Sequence, residues 1–293
     1  MTAPMMSFPS TGYRGWPVGN AAADAFVIAD PYPRIVDFRL PGERSVLHVS
    51  KRHEFFGVRT WFMEPEQNDQ SGLPARMRGR TLASEAAHVH LRTDVEPESR
   101  ISLSMDVRLH ESRPRLDILH GITNHDDGTR EIAAWAITAV AAETGLGLTR
   151  LRQDDRQVIV CWTPSQLSEP MVVAHEHALA LDFRIAPRGS HLKIGTDANC
   201  GWVACISGRH ALVSKSEFKR GALYPEGGST VTMFRSGSLP DGAFAEIENV
   251  GPLTQVEPGE TITMQQRLEI VDGEGATDID SWLEVLDAAT DGQ

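Results

Sequence analysis

The sequence predicts an all-β fold, arranged as a sandwich or barrel with one short C-terminal helix. Strand-like runs recur at regular spacing from residue 85 onward. Glycine and proline separate the runs, with 25 Gly and 17 Pro among 293 residues. Helical periodicity is nearly absent until Ile279, Trp282, Leu283 and Leu286, which follow the i, i+3, i+4, i+7 spacing of one helix face.

The chain is expected to form one domain with an N-terminal arm. Residues 1–23 are rich in Gly, Pro and small polar groups, so we expect an extended arm anchored by Tyr13 and Trp16. Residues 24–293 contain no linker, and large all-β domains often exceed about 200 residues undivided. Residues 51–80 mix aromatic residues with arginines, which predicts a long functional excursion over the sheet.

The remaining elements are predicted from runs of alternating apolar and polar residues that are separated by turn-forming residues. Thr277 and Asp280 resemble a capping box at the start of the helix, and Trp282 is expected to pack that helix onto the sheet. The predicted strands are 25–29, 34–40, 45–50, 87–93, 101–110, 116–123, 132–140, 149–153, 157–163, 172–183, 191–196, 201–206, 211–218, 230–234, 243–248 and 261–271.

Composition argues against several classes of partner. Apolar residues make up 41% of the chain, which indicates a globular protein. The net charge of −12 repels phosphate backbones and anionic lipid, so neither nucleic acid nor a membrane is an expected partner. No stretch approaches the roughly 18 apolar residues of a membrane span.

Cysteine usage and the N-terminal sequence fit a reducing compartment. Cys161, Cys200 and Cys205 are too few for a disulfide framework and match no zinc motif. The first sixteen residues lack a charged start followed by an apolar run, so we expect no signal peptide. A cytoplasmic location is the resulting expectation.

The stretch 115–138 carries the first group of candidate site residues. It is predicted as strand, polar loop and strand, with His120, Asn124 and His125 at one lip of a sheet. On the strand 243–248, Glu246 and Glu248 fall on one face, and repulsion between them would raise at least one pKa. A carboxylate facing a histidine can perform acid–base catalysis. An ordinary solvated loop and a solvent-facing strand remain the alternatives.

Two H-x-H pairs are weaker candidates for a metal site. His88 and His90, or His175 and His177, would each point to one strand face and could hold a divalent cation. Glu176 lies on the opposite face from its neighbours, which weakens the second pair. Surface or hydrogen-bonded histidine is the alternative for both pairs, and no metal is expected.

Basic and aromatic residues could supply an anion or sugar pocket. Convergent cations would bind an acidic group, and tryptophans could stack on a sugar ring, although scattered surface charge and buried core tryptophans are the alternatives. The candidates are Arg59, Arg78, Arg80, Lys193, Lys215 and Lys219, with Trp61, Trp135, Trp162 and Trp202.

Several motifs resemble the galactose mutarotase-like superfamily. The run ALYPEGGSTVTMFRSG is followed by a strand ending at Glu248, a loop with Pro252 and a Pro258-Gly259-Glu260 turn before the last strand. ITNHDDG resembles the T-N-H segment of aldose 1-epimerases. GVRTWFMEPE, the Ala134, Trp135 and Thr138 strand, and KIG near Lys193 are similar to an uncharacterised bacterial branch of the superfamily.

The resemblance, which runs from about residue 25 onward, implies a large twisted antiparallel β-supersandwich that binds a sugar or oligosaccharide in a concave groove. It assigns Glu248 as general base and His125 as general acid. From the residue patterns above, the expected substrate-binding residues are His120, Asn124, Arg59, Trp61, Glu246, Lys193 and Lys215. Anomer interconversion of this kind is proton transfer without a cofactor.

The sequence departs from the aldose epimerases at two places. His53 is only a loose counterpart of their second histidine, and Asp126 and Asp127 replace their aromatic residues. Two alternatives therefore stay open beside an epimerase-type enzyme. One is a non-catalytic sugar-binding module. The other is a lyase for uronic-acid sugars in which Arg59, Arg78 or Lys215 holds the acid.

Overall fold

The computed structural model is a sandwich of two antiparallel sheets, with one α-helix among the residues it describes. Those residues are 5–8, 11–50, 55–65, 79–151, 159–161, 167–237 and 242–291. The all-β architecture and the short C-terminal helix agree with the prediction. No helix in these ranges is both long and apolar enough to cross a membrane.

The first sheet has eleven strands, numbered here in chain order and given in spatial order. They are β1 (Met6–Ser7), β2 (Arg14–Gly19), β3 (Asp24–Ile28), β4 (Arg34–Arg39), β5 (Val58–Met63), β10 (Arg130–Ala141), β19 (Phe244–Val250), β18 (Val231–Ser236), β15 (His191–Thr196) and β12 (Ile159–Cys161), with β20 (Thr254–Val256) pairing separately with β10.

The second sheet has ten strands. In spatial order they are β13 (Val172–Val173), β14 (Ala178–Asp182), β11 (Leu146–Arg150), β16 (Trp202–Ser207), β17 (His210–Ser216), β21 (Thr261–Asp272), β9 (Arg115–Asn124), β8 (Ile101–Leu109), β7 (His88–Thr93) and β6 (Gly79–Glu85).

Two segments expected outside the sheets are strands. Residues 14–19 were predicted to belong to an arm but form β2, which pairs with β3 across the expected boundary at residue 24. Residues 51–80 were predicted as an excursion over the sheet, and this is wrong for β5, a central strand between β4 and β10. The strand was hard to recognise because Arg59 interrupts its apolar pattern. In the structure both Arg59 and Trp61 are buried.

Other boundaries differ more modestly. Of the predicted strand 45–50, only Leu47 makes a bridge, to Val140. The predicted strand 172–183 is two short strands, β13 and β14. The predicted strand 157–163 contains β12, and its remaining residues lie outside the described ranges, as do Arg78, Trp162 and His53.

The core lies between the inner faces of the two sheets. Ile35, Phe38 and Val58 from the first sheet join Leu116 and Ile118 from the second in one buried cluster. Side chains alternate between the two faces of a strand, so every second residue of β5, β10 and β19 points away from this core. These outward residues are also largely buried. The outer face of the first sheet is therefore largely closed to solvent along β5 and β19.

The helix α1 (Ile279–Asp291) packs on the outer face of the second sheet. It is capped by Asp278, whose Oδ1 accepts from the Ser281 backbone N–H at 2.9 Å. This replaces the predicted Thr277–Asp280 box. Trp282 is 6% exposed, and a Cβ at Gly273 would lie 2.0 Å from its indole, so only glycine allows the approach. Packing through Trp282 agrees with the sequence prediction.

The contact of Trp282 with the sheet predicts a large stability effect. Trp282→Ala should lower the free energy of unfolding by about 3–5 kcal/mol, because it leaves a cavity between α1 and the sheet. Urea denaturation measures this. Leu223→Ala is the control, since Leu223 is 72% exposed and its loss should change stability little. Equal stability of wild type and Trp282→Ala would contradict the packing.

Candidate active site

Five charged side chains meet on the outer face of the first sheet. We call them the charge cluster: Arg59, Lys193, Glu226, Glu246 and Glu248. The strand register places β5 and β19 on either side of β10, since Ile137 of β10 pairs with both Glu248 and Arg59. Because cross-strand partners share a face, Arg59 and Glu248 point the same way, away from the core.

Glu248 is 1% exposed and is held by three donors on one oxygen. The Trp135 indole Nε1–H donates to its Oε2 at 3.0 Å, the Thr232 hydroxyl donates to the same atom, and the Lys193 ammonium lies 3.5 Å away. The Oε1 atom has no hydrogen-bond partner within the described ranges. The Oε2 oxygen is therefore held in place, and the Oε1 oxygen is available to accept a proton.

Glu246 is paired with Arg59. The Arg59 Nη2–H donates to Glu246 Oε1 at 2.7 Å, and both side chains are buried. Burial raises the pKa of Glu246, with Glu248 adding to the rise and Arg59 opposing it. Arg59 Nε and Nη1 and Trp61 Nε1 have no partner among described residues, so three buried donor nitrogens on this face are unpaired.

Lys193 links two carboxylates. Its Nζ lies 3.0 Å from Glu226 Oε1 and 3.5 Å from Glu248 Oε2, and 4.2 Å above the centre of the Trp135 ring. Burial alone would lower the pKa of Lys193, but Glu248 and Glu226 outweigh it and the net pKa is raised. The ammonium therefore stays charged and holds both carboxylates in place.

Two tryptophans form one wall of the charge cluster. Trp61 and Trp135 are cross-strand partners with ring centroids 6.0 Å apart. The Arg59 guanidinium lies 5.5 Å from the Trp61 ring. Trp135 is partly exposed and Trp61 is buried, so Trp135 presents the indole surface nearest to solvent. An aromatic face beside paired polar groups suits the apolar side of a sugar ring.

His120 lies inside the sandwich and not at the charge cluster. Its Nδ1 accepts from Thr60 Oγ1 at 2.8 Å, and its Nε2–H donates to Gln266 Oε1 at 2.9 Å. Gln266 Nε2 in turn donates to Ser214 and Thr138. Burial lowers the pKa of His120 to about 4, so the ring is neutral and ties the sheets together. The prediction that His120 contacts substrate is not supported by this position.

The sequence interpretation required His125 to lie beside Glu248, but the structure places the two residues apart. His125 follows β9 in the second sheet, and its Nε2 lies 2.8 Å from Ser102 Oγ. Its neighbours Ser102 and Arg92 alternate with the core residues Leu103 and Leu91, so they point outward from the second sheet. Glu248 points outward from the first sheet. The two residues therefore face opposite sides of the sandwich.

Asn124 and Lys215 also make hydrogen bonds that stabilise the fold away from the charge cluster. The Asn124 amide donates to the carbonyls of Gly128 and Val256 at 2.9 Å each, which fixes the turn after β9. The Lys215 ammonium donates to the Thr290 carbonyl of α1 at 2.6 Å. Trp202 lies beneath the same helix, with its Nε1 3.2 Å from Asp287. These three residues contact neither Glu248 nor Arg59.

The histidine pairs lie on the second sheet or beside the helix. His88 Nε2 is 2.8 Å from Asp106, which is 4.0 Å from His90. His175 is 3.4 Å from Asp280, and His177 is exposed beside Glu176. No group of three or more His, Cys, Asp or Glu within the described ranges could hold a metal ion.

Arg80 and Lys219 stand apart from the charge cluster, as does a separate cleft. Arg80 is 62% exposed near Asp94. A cleft of about 320 Å³ is lined by Lys219, Lys215, Arg267, Ala134 and Met264 among others, and by none of the charge cluster. We place the candidate site at the charge cluster because buried, paired titratable groups indicate chemistry better than cavity size does.

Sequence reasoning missed Glu226 and Thr232. Both occur in the run ALYPEGGSTVTMFRSG, which served only as a family likeness. A signal for Glu226 was present, since the Glu-Gly-Gly sequence favours a turn with positive φ. In the structure Glu226, Gly227 and Gly228 have φ of 50°, 70° and 96°.

Comparison with known proteins identifies the fold. No protein-family model matches the sequence, and no curated protein matches it. Among solved structures, a galactose mutarotase-like protein from Lactobacillus casei is similar over 91% of this chain and 100% of its own, with a TM-score of 0.61 and 10% identity.

Two further structures agree. A galactose mutarotase-like protein from Clostridium acetobutylicum covers 92% of this chain and 98% of its own, with a TM-score of 0.56 and 10% identity. A galactose mutarotase related enzyme from Lactobacillus acidophilus covers 90% and 100%, with a TM-score of 0.56 and 7% identity. The chain therefore has the galactose mutarotase-like fold that the sequence motifs predicted.

The neutral, buried state of His120 predicts a pH-dependent stability. The folded pKa of about 4 lies below the ordinary 6.5, so His120 contributes fully above pH 6.5 and progressively less as pH falls toward 4. Relative to wild type, His120→Gln should lose this part of the pH dependence. Urea denaturation between pH 4.5 and 7.5 measures the difference, with exposed His177→Gln as the control. Parallel curves for wild type and His120→Gln would contradict the assignment.

Proposed function

We propose that this protein binds a neutral sugar at the charge cluster and interconverts its anomers by acid–base chemistry. The observation that carries the proposal is the buried Glu248 carboxylate, fixed through one oxygen by Trp135, Thr232 and Lys193. A base held in this way does not reorganise when it accepts a proton. The fold shared with galactose mutarotase-like proteins supports a sugar-related role.

The charges favour a neutral ligand. Arg59 is paired with Glu246, and Lys193 is paired with Glu226 and Glu248, so both cations are already neutralised by carboxylates. Glu246 and Glu248 alone supply one carboxylate for each cation, so an acidic sugar would find no unpaired positive charge in the cluster. This argues against the uronic-acid lyase, which needs a cation to hold the substrate acid. The Lys215 ammonium donates to the Thr290 carbonyl of α1 and contacts none of the charge cluster.

The remaining groups suit a polyhydroxyl ring. Arg59 and Trp61 offer unused N–H donors for hydroxyl oxygens, and the indole of Trp135 offers an apolar face. Glu248 would take the proton of the anomeric hydroxyl as the bond between the anomeric carbon and the ring oxygen breaks, while a general acid protonates the ring oxygen. Rotation of the resulting carbonyl and reclosure would give the other anomer. A positioned base contributes about 10²- to 10⁴-fold to such a rate.

Glu248→Gln should reduce anomer interconversion by about 10²-fold or more, since the amide cannot accept the proton. Polarimetry on freshly dissolved α-D-glucose, α-D-galactose and further aldoses measures the rate. Glu284→Gln is the matched control, because Glu284 is exposed on α1. Calorimetry with the same sugars separates binding from turnover.

Two results would contradict the proposal. Full turnover by Glu248→Gln would remove the residue from the mechanism. Sugar binding without turnover by wild type would favour the non-catalytic sugar-binding module in its place.

A further inference from the structure

The backbone at Glu226 is unusual for a residue with a side chain. Its φ of 50° lies in the left-handed region, which is strained for a residue other than glycine. Gly227 and Gly228 follow with φ of 70° and 96°. A glycine at position 226 would relieve the strain, so the glutamate is held there against local preference.

The side chain that this conformation presents reaches the charge cluster. Glu226 Oε1 lies 3.0 Å from Lys193 Nζ, and its Oε2 is buried without a partner among described residues. The side chain is only 12% exposed. Lys193 is 3.5 Å from Glu248, so one ammonium bridges two carboxylates from different elements. Leaving a buried carboxylate oxygen unpaired is costly, and such groups concentrate at functional sites.

Among its contacts in the described ranges, Glu248 has no imidazole that could act as the partner acid. Opening a sugar ring needs a base at the anomeric hydroxyl and an acid at the ring oxygen. None of the described polar contacts of Glu248 involves an imidazole, and His125 faces the other side of the sandwich.

We propose that Glu226 is the second proton-transfer residue of this site, the general acid that protonates the ring oxygen while Glu248 acts as the base. This inference rests on the proposed function. The environment of Glu226 suits an acid, because burial and the neighbouring Glu248 raise its pKa while Lys193 opposes the rise. A carboxyl group whose pKa is raised by its surroundings can serve as the general acid beside a second carboxylate that serves as the base.

The proton balance closes without another reactant. The Glu226 carboxylic acid gives its proton to the ring oxygen as the bond from that oxygen to the anomeric carbon breaks. The anomeric hydroxyl gives its proton to Glu248 and becomes the carbonyl. Reclosure on the other face reverses both transfers, so Glu226 regains its proton and Glu248 loses it. Lys193 stays charged throughout and holds the two carboxylates.

The test is the pH profile of Glu226→Gln. The wild-type rate should fall as pH rises through the pKa of Glu226, because the acid must be protonated. Glu226→Gln should lower the turnover number by about 10²-fold or more and lose this alkaline limb, with a smaller change in KM. Glu226→Asp should recover part of the rate, and Glu284→Gln should match wild type.

A second variant separates catalysis from folding. Glu226→Gly removes the strained residue and leaves Lys193 paired with Glu248, so its melting temperature should equal or exceed that of wild type while turnover is lost. A purely structural role for Glu226 predicts a lower melting temperature instead.

The outcomes distinguish the two proposals. If wild type turns over a sugar and Glu226→Gln keeps its rate and alkaline limb, Glu226 is not the acid and the proposed function stands. His48 is the alternative acid to test, because its ring stacks on Phe244 of the same sheet, with 5.5 Å between ring centroids. If His48→Gln removes the alkaline limb and Glu226→Gln does not, the assignment of Glu226 is overturned. If wild type turns over no sugar in the panel, both proposals fail.

Discussion

The structure depends on pairing the charged groups that lie on a buried sheet face. On β19, Ala245, Ile247 and Asn249 point into the core, and Glu246 and Glu248 point outward into an environment nearly as closed. Taking carboxylates out of water costs several kcal/mol each unless cations and hydrogen bonds compensate. Arg59 and Lys193 provide the cations from strands on either side, so register across β5, β10, β19, β18 and β15 must be kept.

The same strands carry a second polar set on their inner faces. Thr60 lies between Arg59 and Trp61, and it binds His120 across the interior. Asn249 follows Glu248 and bonds to Ser214 and to the Gly201 carbonyl. These interior bonds leave little freedom for the strands to slide, because a slip would break buried hydrogen bonds. The two faces therefore stabilise one register, and this register positions the charge cluster.

The sequence predicted the fold better than the site. Alternation and turn residues located most strands within a few positions, and the motifs identified the superfamily fold. The strand β5 was missed because Arg59 interrupts its apolar pattern, and the arginine is buried here through its pairing with Glu246. Alternation assigns residues to the two faces of a strand, but it does not say which sheet the strand joins. His125 was therefore matched to Glu248 on the wrong side of the sandwich.

Among the predicted site residues, Glu248, Glu246, Arg59, Trp61 and Lys193 do meet. Glu226 escaped prediction because the Glu-Gly-Gly signal indicates a turn with positive φ but does not say which strands lie beside that turn.

We propose that the sugar site lies on the outer face of the first sheet, at the charge cluster. A crystal structure of the protein soaked with D-galactose or D-glucose tests it most directly. We expect the ring against Trp135, with its anomeric oxygen about 2.6–3.2 Å from the Glu248 carboxylate. Ring density beside His125, or in the cleft lined by Lys219, with the charge cluster empty, would contradict the account.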